Sequence, residues 1–213
     1  MIKLNNISKS YNTNSESIKI IDNLSIEFQK QKIYSIMGKS GSGKTTLLSI
    51  IGGLLIPDKG DIIVNEINNL ESIDFKKMSF VFQEPRLLDE YNVIENIMLP
   101  LLINNKSYAE SYKKAYQLLS RMGLDELSKR YPEQLSRGEQ QRISLLRSLS
   151  NSPQIILADE PTASLDEKNC EQLLDFIVKI NREFKILFII STHDKKFMNI
   201  SDNSYRLIKG KLE

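Results

Sequence analysis

Residues 33–55 read IYSIMGKSGSGKTTLLSIIGGLL, and this stretch decides the fold. A short apolar run at 33–37 leads into GKSGSGKT at 38–45, and an apolar-periodic stretch follows. This order predicts a strand, a glycine-rich loop and a helix, and the loop matches G-x-x-x-x-G-K-[ST] at every fixed position. Glycines let successive backbone N–H groups point at phosphate oxygens, and the helix adds its unpaired donors and positive end. The stretch therefore predicts a nucleoside triphosphate site.

The loop residues have distinct expected roles at this site. Lys44 is expected to reach the β- and γ-phosphates, and the Thr45 hydroxyl is expected to be a Mg²⁺ ligand. The residues expected to bind the nucleotide are Gly38, Ser40, Gly41, Ser42, Gly43, Lys44, Thr45 and Thr46. A Gly/Ser-rich turn carrying an exposed lysine is the alternative. Phosphate binding is favoured because the strand and the helix lie where the motif requires them.

Length and composition bound the remaining possibilities. With 213 residues, the chain suits one large domain, or a core with an inserted subdomain. The net charge of +2 implies no strongly basic face, so nucleic acid is not expected as a partner. The single cysteine, Cys170, excludes an internal disulfide, fits a reducing compartment and is expected to be a small, semi-buried helix residue. No apolar run approaches the roughly 20 residues of a membrane helix, so a soluble chain is expected.

The periodicity along the chain predicts an α/β protein. Strands are expected in residues 1–30, with a turn at 12–17, and at 61–65, 77–82, 155–158 and 185–191, and a second turn is expected at 57–60. Helices are expected at 107–122, 135–149, 167–183 and 195–200. A hairpin is expected at 205–212. Residues 84–134 are expected to be a mostly helical insertion. The predicted fold is a P-loop NTPase (RecA-like) core with a mainly parallel sheet, an antiparallel β subdomain and an inserted helical subdomain. Residues 1–83 and 151–213 would form the α/β part of one domain, and residues 84–150 its helical part.

Two strand ends supply further candidate residues. The apolar run at 155–158 ends in Asp159 and Glu160, at the edge of a parallel sheet where ligands bind. Asp159 is expected to hold Mg²⁺ and Glu160 to polarise the attacking water as a general base. A pair of solvated acids is the alternative, but the phosphate loop favours the functional interpretation. The only histidine, His193, follows the next buried strand, where it is either incidental or close to the γ-phosphate.

These motifs resemble, over essentially the whole chain, the nucleotide-binding subunits of ABC transporters. The matching segments are Walker A around Lys44, the Q-loop at Gln83, the signature at 135–139 (LSRGE, usually LSGGQ), Walker B at 155–160 (IILADE), the D-loop at 163–166 (ASLD) and the switch histidine at His193. Walker A alone indicates only a P-loop NTPase. Walker A, the signature and Walker B in this order are highly specific for the family.

The resemblance implies that two copies pair head to tail, so that each ATP lies between one phosphate loop and the other copy's signature. Ser136 and the Gly138 amide would then bind the γ-phosphate across the dimer, Tyr11 would lie against adenine, and Asp166 of the D-loop would lie near the nucleotide. Glu160 and His193 would act in hydrolysis. Gln83 would contact Mg²⁺ and relay the nucleotide state to a membrane partner.

The signature departs from the family pattern at Arg137, where glycine is usual, and at Glu139, where glutamine is usual. If position 137 requires a positive φ, arginine costs about 1 kcal/mol or more of strain. Alternatively, its guanidinium adds a charge-assisted bond to phosphate. ATPase activity is expected in either case.

Residues 50–60 and 80–103 resemble one subgroup, which includes lipoprotein-release, macrolide-, peptide- and haem-efflux transporters and an ATPase tied to cell division. By this resemblance, residues 83–101 would contact a transmembrane permease, and the chain would be cytoplasmic at the inner face of the membrane. Packing within the helical insertion is the alternative for Leu87, Leu88, Val93 and Ile97. The competing functions are a transport ATPase, a mechanotransducing module and, less favoured, a soluble protein of DNA repair or translation.

Overall fold

The computed structural model describes residues 1–12, 17–65, 67, 74 and 77–213. The strands are β1 (Ile2–Asn12), β2 (Ser17–Phe28), β3 (Ile33–Met37), β4 (Lys59–Val64), β5 (Met78–Val81), β6 (Ile155–Asp159), β7 (Leu187–Thr192), β8 (Asn203–Ile208) and β9 (Lys211–Leu212). The helices are α1 (Lys44–Ile51), α2 (Val93–Ile103), α3 (Tyr108–Met122), α4 (Arg137–Leu149) and α5 (Glu167–Phe184). Short 3₁₀ turns occupy Asp125–Leu127, Pro132–Gln134 and Lys195–Asn199.

The main sheet has six strands in the order β5-β6-β7-β3-β8-β9, and all of its neighbours are parallel except β8 and β9. Every residue of β7 is buried. Leu187 and Ile189 pack on one face of the sheet, and Phe188 and Ile190 pack on the other. Continuous apolar strands of this kind are typical of parallel sheets covered on both faces. The predicted parallel sheet with helices on both faces is confirmed.

The smaller sheet is antiparallel, with the order β2-β1-β4, as expected for the start of the chain. Its apolar side packs with α1 and one face of the main sheet, and Phe28 meets Tyr34 edge to face at 5.0 Å between centroids. β4 begins at Lys59, within the turn predicted at 57–60, because Lys59 already pairs with Ser8. The turn predicted at 12–17 falls largely on residues 13–16, which lie outside the described residues.

Helices α2 to α5 form one apolar cluster with the other face of the main sheet, in which α2 and α3 pack on α4. The predicted helix at 107–122 is observed one residue shorter, since Ser107 is the N-cap of α3 and Gly123 ends it with φ 73°. The mostly helical insertion predicted from Glu84 becomes helical only at Val93, because Asn92 and Glu95 form a capping box there. In the described part of the chain, no helix is both long and apolar enough to cross a membrane.

Candidate nucleotide site

The phosphate loop joins β3 to α1, as the sequence predicts. Gly43 is the N-cap of α1 and has φ 98°, a conformation that residues with a side chain rarely adopt. A Cβ atom at Gly43 would also lie 2.6 Å from Cγ2 of Ile20 on β2. Glycine is therefore required both by the backbone turn and by the close approach of β2. The turn leaves the first N–H groups of α1 directed out of the helix, where they can bind an anion.

A cavity of about 640 Å³ lies at the carboxyl edge of the parallel strands, in front of this loop. The candidate residues that line it are Tyr11, Ser40, Gly41, Gly43, Lys44, Thr45, Thr46, Gln83, Asp159, Glu160 and His193. They come from β1, the phosphate loop, the segment after β5 and the ends of β6 and β7. This edge is the usual ligand site of an open parallel sheet.

Five other candidate residues lie outside this cavity. Gly38 and Ser42 line an adjoining cavity of about 720 Å³, although the Gly38 carbonyl oxygen accepts a hydrogen bond from Lys44. Ser136 and Gly138 lie at the start of α4, and Asp166 is the N-cap of α5. The chain's own nucleotide cavity therefore contains none of the signature candidates.

Lys44 and Glu160 form an ion pair within the cavity. The Lys44 side chain is 7% exposed, and its Nζ lies 3.1 Å from Oε1 of Glu160. Nζ also donates to the carbonyl oxygens of Gly38 at 2.8 Å and Lys39 at 3.2 Å. The second carboxylate oxygen of Glu160 lies 2.7 Å from Nδ1 of His193. Three of the four candidate catalytic side chains, all but Gln83, thus form one connected chain, in which Lys44, the cation expected to bind phosphate, is held by Glu160, the candidate base.

The donor set at Thr45 and Asp159 fits Mg²⁺. Thr45 Oγ1 donates to Asp159 Oδ2 at 2.7 Å, and Ser191 Oγ donates to the other oxygen of Asp159. Hydroxyl and carboxylate oxygens are the donors that this cation prefers. Sequence reasoning missed Ser191, which reaches Asp159 because β6 and β7 are neighbours and these two residues pair in register. The only sequence signal was a polar residue at the end of an apolar strand.

Glu160 has an unusual backbone conformation for a non-glycine residue, with φ 48°. Such a conformation costs about 1–2 kcal/mol. It is held by the Glu160 N–H, which donates to Ser191 O at 2.9 Å, and by the Ala163 N–H, which donates to Glu160 O at 3.2 Å. Strain of this kind is found where the position of a side chain matters for function.

Gln83 is fixed through the backbone on either side of it. Gln141 Nε2 of α4 donates to Phe82 O at 3.2 Å, and Arg147 of α4 donates to Pro85 O at 2.8 Å. The Gln83 side chain is exposed and lines the cavity. Helix α4 therefore positions both the start of the signature and the segment that carries Gln83.

At the signature, the two unusual residues have different surroundings. Arg137 is the first residue of α4 and its φ is not positive, so the condition under which strain was expected there is not met. Glu139 completes a capping box with Ser136, whose hydroxyl lies 2.7 Å from Glu139 Oε2. Gly138 lies close to α5, because a Cβ there would lie 2.2 Å from Oδ1 of Asn169, whose side chain would have to move. The exposed Ser136 and Arg137 thus sit on a closely packed junction of α4 and α5.

The phosphate loop, the acidic end of β6 and the parallel sheet define a P-loop NTPase. The chain belongs to the ABC transporter family, whose model matches residues 21–163, and it is an ATP-binding ATPase subunit of that family. It is 39% identical to the lipoprotein-releasing system ATP-binding protein LolD of Buchnera aphidicola, over 91% of this chain and 88% of the relative. It is 38% identical to LolD of Treponema denticola, over 100% and 97%.

The fold has close counterparts among solved structures. A dimeric, post-hydrolysis state of the ATP-binding cassette MJ0796, bound to ADP and Pi, superposes with a TM-score of 0.86 at 34% identity. The match covers 100% of this chain and 97% of that one. The predicted P-loop NTPase fold is confirmed.

Proposed function

We propose that this chain hydrolyses ATP as a dimer of two copies and drives a membrane permease, in a system that releases lipoproteins. The observation that carries the proposal is the separation of two sets of candidate residues. Lys44, Asp159 and Glu160 share one cavity. Ser136, which is exposed, and Gly138, which is buried, lie outside it at the start of α4. A second copy would bring its α4 to the open side of the cavity. The dimer of MJ0796 and the LolD relatives support this arrangement.

Within each site, the proposed roles follow from the contacts. Tyr11, 45% exposed at the cavity, would stack on the base, and the loop with Lys44 would bind the phosphates. Thr45, Asp159 and Gln83 would hold Mg²⁺, which neutralises phosphate charge when bound. Glu160 would accept the proton of the attacking water, and His193 would orient Glu160 through Nδ1. Residues 1–83 and 151–213 would form the α/β core, and residues 84–150 the helical part.

Two inactive variants test the shared site directly. Lys44→Ala removes the loop cation, and Ser136→Asp places a negative charge at the signature while keeping a good N-cap for α4. Each variant alone should be inactive, but a mixture should regain activity because mixed dimers contain one intact site. Specific activity of the unmodified chain should rise with protein concentration. If both variants are folded and no mixing ratio restores ATPase activity, the dimeric site is contradicted.

Arg137 is expected to contribute to ATP binding across that dimer, because its backbone is unstrained and its side chain is exposed. Arg137→Gly should raise the KM for ATP roughly tenfold, the value of one charge-assisted bond. Arg137→Lys, which keeps the charge, should have a KM for ATP between those of the unmodified chain and Arg137→Gly. Steady-state ATPase assays on the three chains provide the measurement. A several-fold faster turnover of Arg137→Gly would instead mean that the arginine impairs the site.

The segment before α2 is the proposed permease contact. Val93 and Ile97 are buried in the core, so the structure assigns these two to packing, and Leu87 packs against the same core. Leu88 is 43% exposed, and its backbone is held by Asn96, whose Nδ2 donates to Leu88 O at 3.0 Å. Leu88 is therefore an exposed apolar side chain on a rigid support, as a docking residue requires.

Leu88→Asp is expected to abolish co-purification of the chain with its membrane partner while leaving its own ATP binding unchanged. Tyr116→Asp is the matched control, since Tyr116 is 45% exposed but lies on the middle of α3. Equal co-purification of the two variants would exclude this docking site.

Cells carrying Lys44→Ala should retain lipoproteins in the inner membrane. Unchanged lipoprotein release in those cells would favour the mechanotransducing alternative.

A further inference from the structure

We propose that Cys170 and Asp194 form a positioning contact, which fixes the loop of His193 to the start of α5 and so holds His193 against Glu160. This inference rests on the proposed hydrolytic function. It assigns a role to the only cysteine of the chain, which the nucleotide site does not use. Both residues are positioning residues, because neither lines the nucleotide cavity.

The contact joins two segments that flank the reaction centre. Cys170 lies in the first turns of α5, is 4% exposed, and its Sγ donates to Asp194 Oδ2 at 3.2 Å. Asp194 directly follows His193, and its N–H donates to Thr192 Oγ1 at 3.0 Å. The other oxygen of Asp194 accepts from the Lys196 N–H at 2.9 Å. Asp194 therefore organises the backbone on both sides of itself, and the thiol connects that turn to α5.

His193 needs such an anchor because its own side chain is 65% exposed. Its side-chain contact is with Glu160 Oε2, at 2.7 Å from Nδ1, and its N–H donates to the same oxygen at 3.2 Å. An exposed imidazole on an untethered loop would sample many positions. Two contacts connect the ends of these segments: Cys170 meets Asp194, and His193 meets Glu160. Because the chain also runs directly from Glu160 to Cys170, the connections form a closed ring. Movement of α5 therefore displaces His193 relative to Glu160.

A second link between the same segments strengthens the connection. Lys196 Nζ lies 2.9 Å from Oε1 of Glu167 and 3.5 Å from Oε1 of Glu171, on either side of Cys170 along α5. These pairs are exposed and contribute little individually. The thiol contact is partly buried, with Cys170 in the core and Asp194 half-buried. Burial, followed by the nearby Asp194, raises the pKa of Cys170 to about 11. Cys170 therefore keeps its proton at neutral pH and remains a donor to Asp194.

Three substitutions at Cys170 separate the hydrogen bond from packing. Cys170→Val fills a similar volume but has no hydrogen-bond donor. Cys170→Ala removes both the volume and the donor, and Cys170→Ser keeps a donor. We expect the valine and alanine variants to lose roughly tenfold in kcat, with little change in the KM for ATP. Cys170→Ser should restore most of kcat. A merely structural role would instead make the valine variant the best of the three.

The decisive control is the same substitution in a His193→Ala chain. If Cys170 acts through His193, Cys170→Ala should cause no further loss of kcat there. An equal loss with and without His193, or failure of serine to restore kcat, would overturn the proposal. The single histidine also gives one imidazole C2–H signal in proton NMR, and Cys170→Ala should shift it while Cys170→Ser should not. This signal tests the contact even in a chain that hydrolyses no ATP, so an unshifted signal refutes the positioning role independently of the proposed function.

Discussion

Glu160→Gln is expected to lower ATP turnover by roughly 10³-fold, because the amide cannot accept the proton of the attacking water. The substitution keeps the size of the side chain and removes its charge. It also removes the ion pair in which Glu160 holds Lys44 Nζ at 3.1 Å. Lys44 is then free to bind phosphate, so the affinity for ATP should be equal or higher. Single-turnover hydrolysis and equilibrium ATP binding measure the two effects separately.

Glu139→Gln is the matched control for this prediction. Glu139 is the acid of the signature, and it caps α4 through Ser136, a role that glutamine also fills. We expect turnover of Glu139→Gln within about threefold of the unmodified chain, since only a long ion pair of this partly buried acid with Arg130, at 4.0 Å, is lost, and such pairs contribute less than about 1 kcal/mol. Similar rates for Glu160→Gln and Glu139→Gln would show that Glu160 is not the base.

Lys44→Ala is expected to weaken ATP binding by roughly 100-fold or more, because two charge-assisted bonds to phosphate are lost. The effect is large because the ammonium group is pre-positioned: the side chain is 7% exposed and is held by two loop carbonyl oxygens. Removal of Lys44 also leaves Glu160, which is 15% exposed, without its cationic partner. Equilibrium binding of labelled ATP is the measurement.

Lys39→Ala provides the comparison within the same loop. Lys39 lines the same cavity, but its side chain is exposed, so any contact it makes to the nucleotide is screened by water. We expect this variant to lose less than tenfold in affinity for ATP. At high salt, its affinity should become equal to that of the unmodified chain, because salt screens the exposed charge. Equal losses for Lys39→Ala and Lys44→Ala would indicate general electrostatic attraction rather than a specific role for Lys44.

The sequence alone predicts those parts of the molecule that depend on neighbouring residues. The phosphate loop follows from the glycine at 43 and the helix after it, and α3 follows from its capping serine at 107 and Gly123. Buried parallel strands follow from unbroken apolar runs, as in residues 187–190. These features were predictable because local hydrogen bonds, backbone preference and periodicity determine them.

Side chains that meet across the fold were beyond the sequence. Ser191 reaches Asp159 because β7 lies beside β6, and Cys170 reaches Asp194 because the start of α5 packs near the end of β7. Sequence periodicity could not separate Leu88, which is exposed, from Val93, which is in the core. Such contacts depend on the order of strands in the sheet, where β3 lies between β7 and β8 although it precedes both in the chain.

The sequence by itself therefore determined the class of the protein, the phosphate loop and the acidic strand end that faces it. The tertiary structure decided which residues share the nucleotide cavity and which remain outside it. It also decided that Arg137 starts a helix without strain, and that Lys44 is held by Glu160. The physical reason is that a motif specifies local backbone geometry, whereas the pairing of charges and donors depends on long-range packing.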